Sequence, residues 1–125
     1  MSRIPLVREF MATNLVTLRP EMTIFAAIDV LLKNRFSGAP VVDEQGRLVG
    51  ILSEKDCLRV YASGAFFNNA GGLVSDYMSR EVMTVEPDDE IFRVADIFLK
   101  RSFRRLPDLQ DGRLVGQVSR RDVLQ

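Results

Sequence analysis

The sequence contains no histidine, and its only cysteine is Cys57. Without histidine it lacks the usual general base near neutral pH, the usual partner in a nucleophilic triad and the commonest transition-metal ligand. One thiol cannot supply the nitrogen and sulfur donors of a zinc site. A phosphate loop of the Gly-x-x-x-x-Gly-Lys kind is also absent. These absences argue against an enzyme and predict no metal or cofactor, although carboxylate chemistry with magnesium stays open.

The chain also lacks an excess of charge and a long apolar run. Seventeen basic residues balance seventeen acidic ones, so no overall field favours nucleic acid or an anionic membrane. Charges interrupt each apolar stretch well before the roughly 20 residues that span a bilayer. No secretory signal is recognisable, and one cysteine forms no internal disulfide. We therefore expect a cytoplasmic protein that folds as one body of 125 residues, without membrane contact.

The sequence is an internal duplication. Val7–Glu44 aligns with Val74–Asp111 without a gap, and 11 of these 38 pairs are identical. A deletion opposite Gln45 then aligns Gly46–Arg59 with Gly112–Gln125, where 8 of 14 pairs are identical. Composition alone would give roughly three or four identities in total, so the repeat is real.

Each copy begins with a short strand and an amphipathic helix. Leu15–Leu18 is extended, and Pro20 ends it because proline fixes φ and disfavours regular structure before it. Thr23 is a good N-cap, so we expect a helix from there to about Asn34. An apolar stripe with a 3.6-residue period should face the core. Its members are Ile24, Ile28, Leu31 and Leu32, repeated as Ile91, Ala95, Phe98 and Leu99.

A hairpin and a second helix complete each copy. Ala39–Val42 and Leu48–Leu52 are β-prone runs joined by a polar turn that ends in glycine. A last helix follows Ser53, and its twin follows Ser119 and stops with the sequence. We expect the first of these helices to direct three side chains inward, those of Cys57, Leu58 and Tyr61.

Two β-α-β-β-α units therefore follow one another, and the fold class is α/β in the α+β sense. We place the first repeat at residues 1–66, with its core at 7–61, and the second at 67–125, with its core at 74–125. The segment between the cores is too apolar for a purely solvated tether. We expect Phe66 and Phe67 within it to pack on the core or on a partner chain.

These repeats resemble the CBS-domain family in its tandem arrangement, the Bateman module. The resemblance rests on Phe36–Asp43, on Gly46–Asp56 and on their counterparts in the second copy. It implies that the two repeats pack through their sheets about a pseudo-twofold axis. It also implies two clefts for adenosine ligands such as AMP, ADP, ATP or S-adenosylmethionine, and pairing of two chains through their helices into a homodimer.

Both repeats carry a Ser-x-x-Asp motif where a strand meets a helix, Ser53 with Asp56 and Ser119 with Asp122. One interpretation is a capping box, in which both side chains satisfy free N–H groups. The other is a ligand site, because a helix N-terminus attracts phosphate and a carboxylate suits the hydroxyls of a ribose. The two roles are compatible within one turn.

The resemblance assigns roles around these motifs. The aspartate takes the ribose, Thr17 or Thr84 offers a hydroxyl, and the segments 37–39 and 104–106 line the clefts with backbone groups. Arg104 and Arg105 are the candidates for phosphate, since guanidinium forks bind it bidentately. The first cleft would comprise Thr17, Ser37, Gly38, Ala39, Arg105, Ser119 and Asp122. The second would comprise Ser53, Asp56, Thr84, Arg104 and Leu106.

Two features depart from the family pattern. Asp108 stands where the first copy has Val41, so it needs a partner if it is buried and alters a sheet edge if it is exposed. The short last helix removes part of what closes the second repeat and the dimer. Either feature could reduce affinity or change the assembly.

The leading hypothesis is a regulatory module that binds an adenosine ligand and responds by a shift between two packings. The alternative is a dimerisation or scaffold module without a small-molecule ligand, in which the Ser-x-x-Asp motifs are only caps. An enzyme acting on nucleotide and a nucleic-acid role for the cluster at 101–105 are weaker hypotheses, given the missing phosphate loop and the net neutrality.

Overall fold

The computed structural model describes residues 3–63 and 72–125. The expectation for Phe66 and Phe67 therefore lies outside the described residues. The helices are α1 (Ile24–Asn34), α2 (Glu54–Ala62), α3 (Val74–Tyr77), α4 (Ile91–Lys100) and α5 (Arg120–Leu124), and Val7–Glu9 forms a 3₁₀ turn. The strands are β1 (Gly38–Val42), β2 (Leu48–Ser53), β3 (Arg105–Gln110) and β4 (Arg113–Ser119).

The chain divides into two compact units, each built on one hairpin. The first-hairpin unit is Val16–Val82, and the second-hairpin unit combines Met1–Leu15 with Met83–Gln125. The start of each sequence repeat therefore belongs to the unit that holds the other repeat's hairpin. Each compact unit thus combines residues of both sequence repeats.

Both hairpins are antiparallel, as predicted, and each gains a third partner through a single parallel bridge. In the first-hairpin unit the Leu18 N–H donates to the Pro40 carbonyl at 2.9 Å, and the Val42 N–H donates to the Leu18 carbonyl at 2.9 Å. The strand predicted at Leu15–Leu18 is thus wrong in length, because only Leu18 pairs. Pro20 follows two residues later and has no N–H with which to extend the ladder.

The second-hairpin unit repeats this arrangement at Val85. Its N–H donates to the Pro107 carbonyl at 3.0 Å, and the Leu109 N–H donates to the Val85 carbonyl at 2.8 Å. The N-terminal segment closes the same unit, because the Val7 N–H donates to the Asp89 carbonyl at 2.9 Å. The core here consists of Val7, Val85, Ile91, Val94, Leu106 and Val118.

The helix predicted from Thr23 is confirmed, since the Thr23 side chain accepts from the Ala26 N–H and α1 ends at Asn34. Its buried face is Ile24, Ala27 and Leu31, and Leu32 is 67% exposed. At 100° per residue Leu32 lies about 105° from the centre of that face. The inward placement of Leu32 is therefore wrong.

The same displacement affects the other helices. Leu99, the counterpart of Leu32 on α4, is 86% exposed, and Val94 is buried instead. On α2 the placement of Cys57 is confirmed, whereas Leu58 and Tyr61 are exposed and Val60 takes the inward position. These wrong placements have one cause. An apolar residue at the edge of a helical stripe does not have to face the core.

Asp108 is buried without a hydrogen-bond partner among residues 3–63 and 72–125. It lies on β3 with no exposed surface, and neither carboxyl oxygen forms a hydrogen bond within the described part of the chain. Val41, its counterpart on β1, is equally buried. The departure noted in the sequence is thus a carboxyl group in an apolar core position, which is costly when the group is charged.

Among residues 3–63 and 72–125, no helix has both the length and the apolar character needed to cross a membrane.

The pair Leu31 and Leu32 tests how α1 faces the core. Leu31→Ala should lower the free energy of unfolding by about 2–5 kcal/mol, because it leaves a cavity in the core. Leu32→Ala should change it by no more than about 0.5 kcal/mol. Urea unfolding at a concentration where the chain is monomeric measures both, and equal losses would contradict the placement of the helix.

Candidate ligand-binding site

Ser53 and Asp56 form a reciprocal capping box at the junction of β2 and α2. The Ser53 Oγ accepts from the Asp56 N–H at 3.1 Å, and the Asp56 Oδ2 accepts from the Ser53 N–H at 2.9 Å and from its hydroxyl at 3.0 Å. Asp56 is buried, with 6% of its surface exposed. The capping interpretation of this motif is confirmed.

Ser119 and Asp122 have the same geometry at the junction of β4 and α5. The Ser119 Oγ accepts from the Asp122 N–H at 3.1 Å, and the Asp122 Oδ2 accepts from the Ser119 N–H at 2.8 Å. Each aspartate therefore commits Oδ2 to the cap. The Oδ1 atom is the one that a ligand hydroxyl would use.

The two Oδ1 atoms differ in their surroundings. The Asp56 Oδ1 lies 3.4 Å from a guanidinium nitrogen of Arg59, one turn along α2. Gln125 replaces this arginine in the second repeat, and no cation of the described residues lies within ion-pair distance of Asp122. The Arg59 contact was missed in the sequence, although the i,i+3 spacing could have indicated it.

Each helix start is tied to the segment before the hairpin of its own unit. The Glu54 N–H donates to the Ser37 carbonyl at 2.9 Å, and the Arg120 N–H donates to the Arg104 carbonyl at 3.3 Å. Two of the first three N–H groups of each helix are thus already paired, counting the N–H of the capping aspartate. These two N–H groups of each helix are therefore not free to bind a phosphate.

The structure gathers half of the predicted residues in each unit. The first-hairpin unit holds Thr17, Ser37, Gly38, Ala39, Ser53 and Asp56, and the second-hairpin unit holds Thr84, Arg104, Arg105, Leu106, Ser119 and Asp122. Strand pairing sets Gly38 opposite Ser53 and Arg105 opposite Ser119. The two predicted clefts draw on both units, and their composition remains a prediction.

The buried and exposed members of these sets contribute in different ways. Ala39 and Leu106 are buried in the cores, so their backbone groups are what they could offer a ligand. Gly38 is closely packed, since a Cβ there would lie 3.1 Å from the Leu52 carbonyl oxygen. Thr17 is exposed and Thr84 half-buried, each directly before the residue of the parallel bridge.

Positive charge is concentrated in the second-hairpin unit. Arg104 and Arg105 are exposed at the start of β3, and Arg120 and Arg121 are exposed at the start of α5. The Arg120 Nε donates to the Phe103 carbonyl at 3.0 Å, which holds this guanidinium beside the 104–106 segment. The matched positions in the first repeat are Ser37, Gly38, Glu54 and Lys55.

The comparisons with known proteins agree with this arrangement. The sequence profile of the CBS domain matches residues 7–63 and 74–125. The chain belongs to the CBS domain family. The duplication and both hairpins predicted from the sequence are thereby confirmed as two CBS repeats.

Three similar proteins illustrate the range of the family. MJ1225 of Methanocaldococcus jannaschii is 32% identical over 119 residues, which is 95% of this chain and 41% of that protein. The chain thus spans less than half the length of that relative. The crystal structure of CBSX2 from Arabidopsis thaliana in complex with AMP has a TM-score of 0.83 and 29% identity, covering 95% of this chain and 93% of that one.

The third is the CBS domain pair of protein MJ0100 in complex with 5′-methylthioadenosine and S-adenosyl-L-methionine. It has a TM-score of 0.79 and 27% identity, covering 96% of this chain and 97% of that one. Both ligand-bound structures therefore match nearly the full length of this CBS pair.

The one thiol of the CBS pair is not poised for chemistry. Cys57 is buried on α2, and burial raises its pKa to about 11, with the nearby carboxylates of Asp56 and Glu54 acting in the same direction. At neutral pH the side chain is a thiol and not the nucleophilic thiolate. It serves the core of the first CBS repeat.

Replacing the capping serines tests the structural part of the site. Ser53→Ala and Ser119→Ala should each lower the free energy of unfolding by about 1 kcal/mol, because an N–H of the first turn loses its acceptor. Ser→Thr at either position should retain most of the stability, since the hydroxyl is kept. Denaturant unfolding measures these differences, and no loss in the alanine variants would show that the caps contribute nothing.

Proposed function

We propose that this CBS pair is a regulatory module that binds an adenosine ligand, with AMP, ADP, ATP and S-adenosylmethionine as candidates. The single observation that carries the proposal is the repeated junction of a capping Ser-x-x-Asp with the segment before the hairpin. The AMP complex of CBSX2 supports it, because that structure matches 95% of this chain. The proposal includes no catalytic step.

The chemistry of the side chains suits an adenosine ligand. A carboxylate oxygen accepts two hydrogen bonds from vicinal hydroxyls, and a guanidinium binds phosphate oxygens through paired N–H groups. Asp122 supplies the first group. Arg105 is exposed on the strand that pairs with Ser119, and Arg104 is exposed directly before that strand. Backbone groups of 37–39 and 104–106 are the proposed contacts for the base.

Of the two proposed clefts we favour the one that uses Asp122. That cleft comprises Thr17, Ser37, Gly38, Ala39, Arg105, Ser119 and Asp122. The Asp122 carboxylate has no cation partner within the described residues, whereas Asp56 has Arg59 at 3.4 Å. A ribose at Asp56 would therefore compete with an existing ion pair. The second cleft, with Ser53, Asp56, Thr84, Arg104 and Leu106, remains part of the proposal.

The signal would be a shift of population. A ligand changes the balance of two conformations only by its difference in affinity for them. The two conformations would be two packings of the repeats or of the dimer for which the ligand has different affinities. The protein that receives the signal would be an enzyme or a transporter regulated by CBS repeats.

A specific observation also favours self-association. Large apolar side chains are exposed on helices in both units, namely Leu32, Leu58, Tyr61, Phe92, Leu99 and Leu124. Exposed apolar surface of this kind marks interaction sites in soluble proteins. We therefore propose a homodimer that pairs through the helices. A dimerisation module without ligand is the second candidate function.

Ligand-dependent unfolding tests the first proposal. A ligand at about 100 times its dissociation constant should stabilise the fold by about 2.7 kcal/mol, or roughly 10 °C for a chain of this size. We expect such a shift with at least one of AMP, ADP, ATP, NAD and S-adenosylmethionine. Asp122→Ala should abolish it, and Asp56→Ala should reduce it less.

Each variant is compared with its own ligand-free midpoint, so that loss of the cap is not read as loss of binding. Thr23→Ala is the control, because it removes the cap of another helix and leaves the residues of both proposed clefts unchanged. Absence of a shift with all five compounds at millimolar concentration would favour the dimerisation module.

Sedimentation of the full chain tests the homodimer. Leu99→Arg and Leu32→Arg should each move the chain from dimer to monomer, since a charge would have to be buried in the contact. Ile4→Ser is the control, because Ile4 is also exposed but lies outside the helices. A monomeric parent chain, or equal association in all three variants, would contradict the proposed interface.

A further inference from the structure

Asp108 is a buried acid in a position that the first repeat fills with valine. The two sites are otherwise equivalent, because Asp108 pairs with Gly116 and Val85 as Val41 pairs with Gly50 and Leu18. Both residues are fully buried, and both Asp108 oxygens lack a hydrogen-bond partner in the described residues. An ionised carboxylate in such a place would have to be neutralised or exposed to water.

The neighbours of Asp108 offer it no donor. Gly116 faces it from β4, and a Cβ on this glycine would lie 2.6 Å from the Met11 sulfur and 3.1 Å from the Ala12 carbonyl oxygen. The bridge partner is Val85, and α4 buries Ile91 and Val94 in the same unit. These neighbouring groups are therefore apolar or are themselves acceptors, in agreement with the absence of a donor to Asp108 within the described residues.

The charged groups that act on Asp108 are carboxylates. Burial raises the pKa of Asp108 to about 7, and the negative charges of Asp89, in the turn before α4, and Asp122, on α5, raise it in the same direction. Desolvation is the largest cause. Three cations of the surrounding elements have other partners, since Arg8 pairs with Asp88, Arg93 pairs with Asp89 and Arg120 donates to the Phe103 carbonyl.

We propose that Asp108 makes the β3–β4 hairpin a proton-responsive element, closed when the acid is neutral and opened as the pH rises, whereas the β1–β2 hairpin does not respond. The neutral acid packs much as Val41 does. The carboxylate must leave the core to be hydrated, and it can do so only if β3 separates locally from Val85 and β4.

The direction of the change in stability with pH follows from proton linkage. An unfolded aspartate ionises near its ordinary pKa of 3.8, and the folded one ionises near 7. The stabilisation of the closed hairpin by neutral Asp108 is complete below about pH 4, falls as the pH rises toward 7 and stays low above pH 7. The difference of about three pH units corresponds to a change of up to about 1000-fold in the opening equilibrium.

Ligand binding would be linked to this opening. The strands that open carry Arg105 and Ser119, so an adenosine ligand would bind the closed hairpin more tightly and favour the neutral acid. This consequence rests on the proposed function. The proton response itself does not, and it can be measured without any ligand.

Hydrogen exchange at matched amides tests the proposal. The Val85 and Leu109 N–H groups report the second hairpin, and the Leu18 and Val42 N–H groups make the same bonds in the first. After correction for the intrinsic exchange rate, protection of the Val85 and Leu109 amides should fall by about 100-fold between about pH 5 and about pH 8. Protection of the Leu18 and Val42 amides should stay constant.

Three variants of the full chain complete the experiment. Asp108→Asn and Asp108→Val remove the charge and should abolish the fall, and Val41→Asp should bring a matching fall to Leu18 and Val42. A pH-independent protection of Val85 and Leu109, an equal fall at all four amides, or a fall that persists in Asp108→Asn would overturn the proposal. Failure of every adenosine ligand to bind would leave these outcomes unaffected.

Discussion

The hydrogen bonds at the junction of strand and helix organise each half of this protein. A serine ends the second strand of the hairpin and an aspartate three residues later returns to its N–H, which fixes the angle at which the helix leaves the sheet. The next N–H of the chain donates to the segment before the hairpin. Strand, helix and segment are thereby held together at the place where the candidate ligand residues lie.

The two CBS repeats share these hydrogen bonds but differ in the charged residues around them. The first has Ser37 and Gly38 at the start of its hairpin and an ion pair on its capping aspartate. The second has Arg104 and Arg105, and its capping aspartate has no ion pair within the described part of the chain. Duplication thus preserved the packing and altered the charges around it. A module with two unlike sites can respond to one ligand, or to one proton, at one repeat while the other stays unchanged.

Much of the local structure could be predicted from the sequence because it depends on neighbouring residues. The N-cap at Thr23, the hairpin turns and both capping boxes follow from short patterns whose hydrogen bonds close within a few residues. What failed depends on tertiary contacts. Leu32 was assigned to the core by its hydrophobicity, yet only packing decides which edge of a helical stripe is covered.

The pairing of segments is also a tertiary property. Leu18 forms one bridge and not a strand, and Val7 packs with the second hairpin, because these contacts join residues that are far apart in sequence. The site shows the same limit. The residue types around Ser53 and Ser119 are predictable, and the i,i+3 spacing could have indicated the Arg59 contact. That Asp108 lacks a hydrogen-bond partner among the described residues is visible only in three dimensions.

Mapping of amide chemical shifts during titration with AMP tests the central claim most directly, because it reports binding and its location together. The account predicts saturable shifts concentrated at 37–39, 104–106 and the starts of α2 and α5, with the largest around Ser119 and Asp122. Saturable shifts confined to other parts of the chain, or no shifts with AMP or any other adenosine ligand, would contradict it.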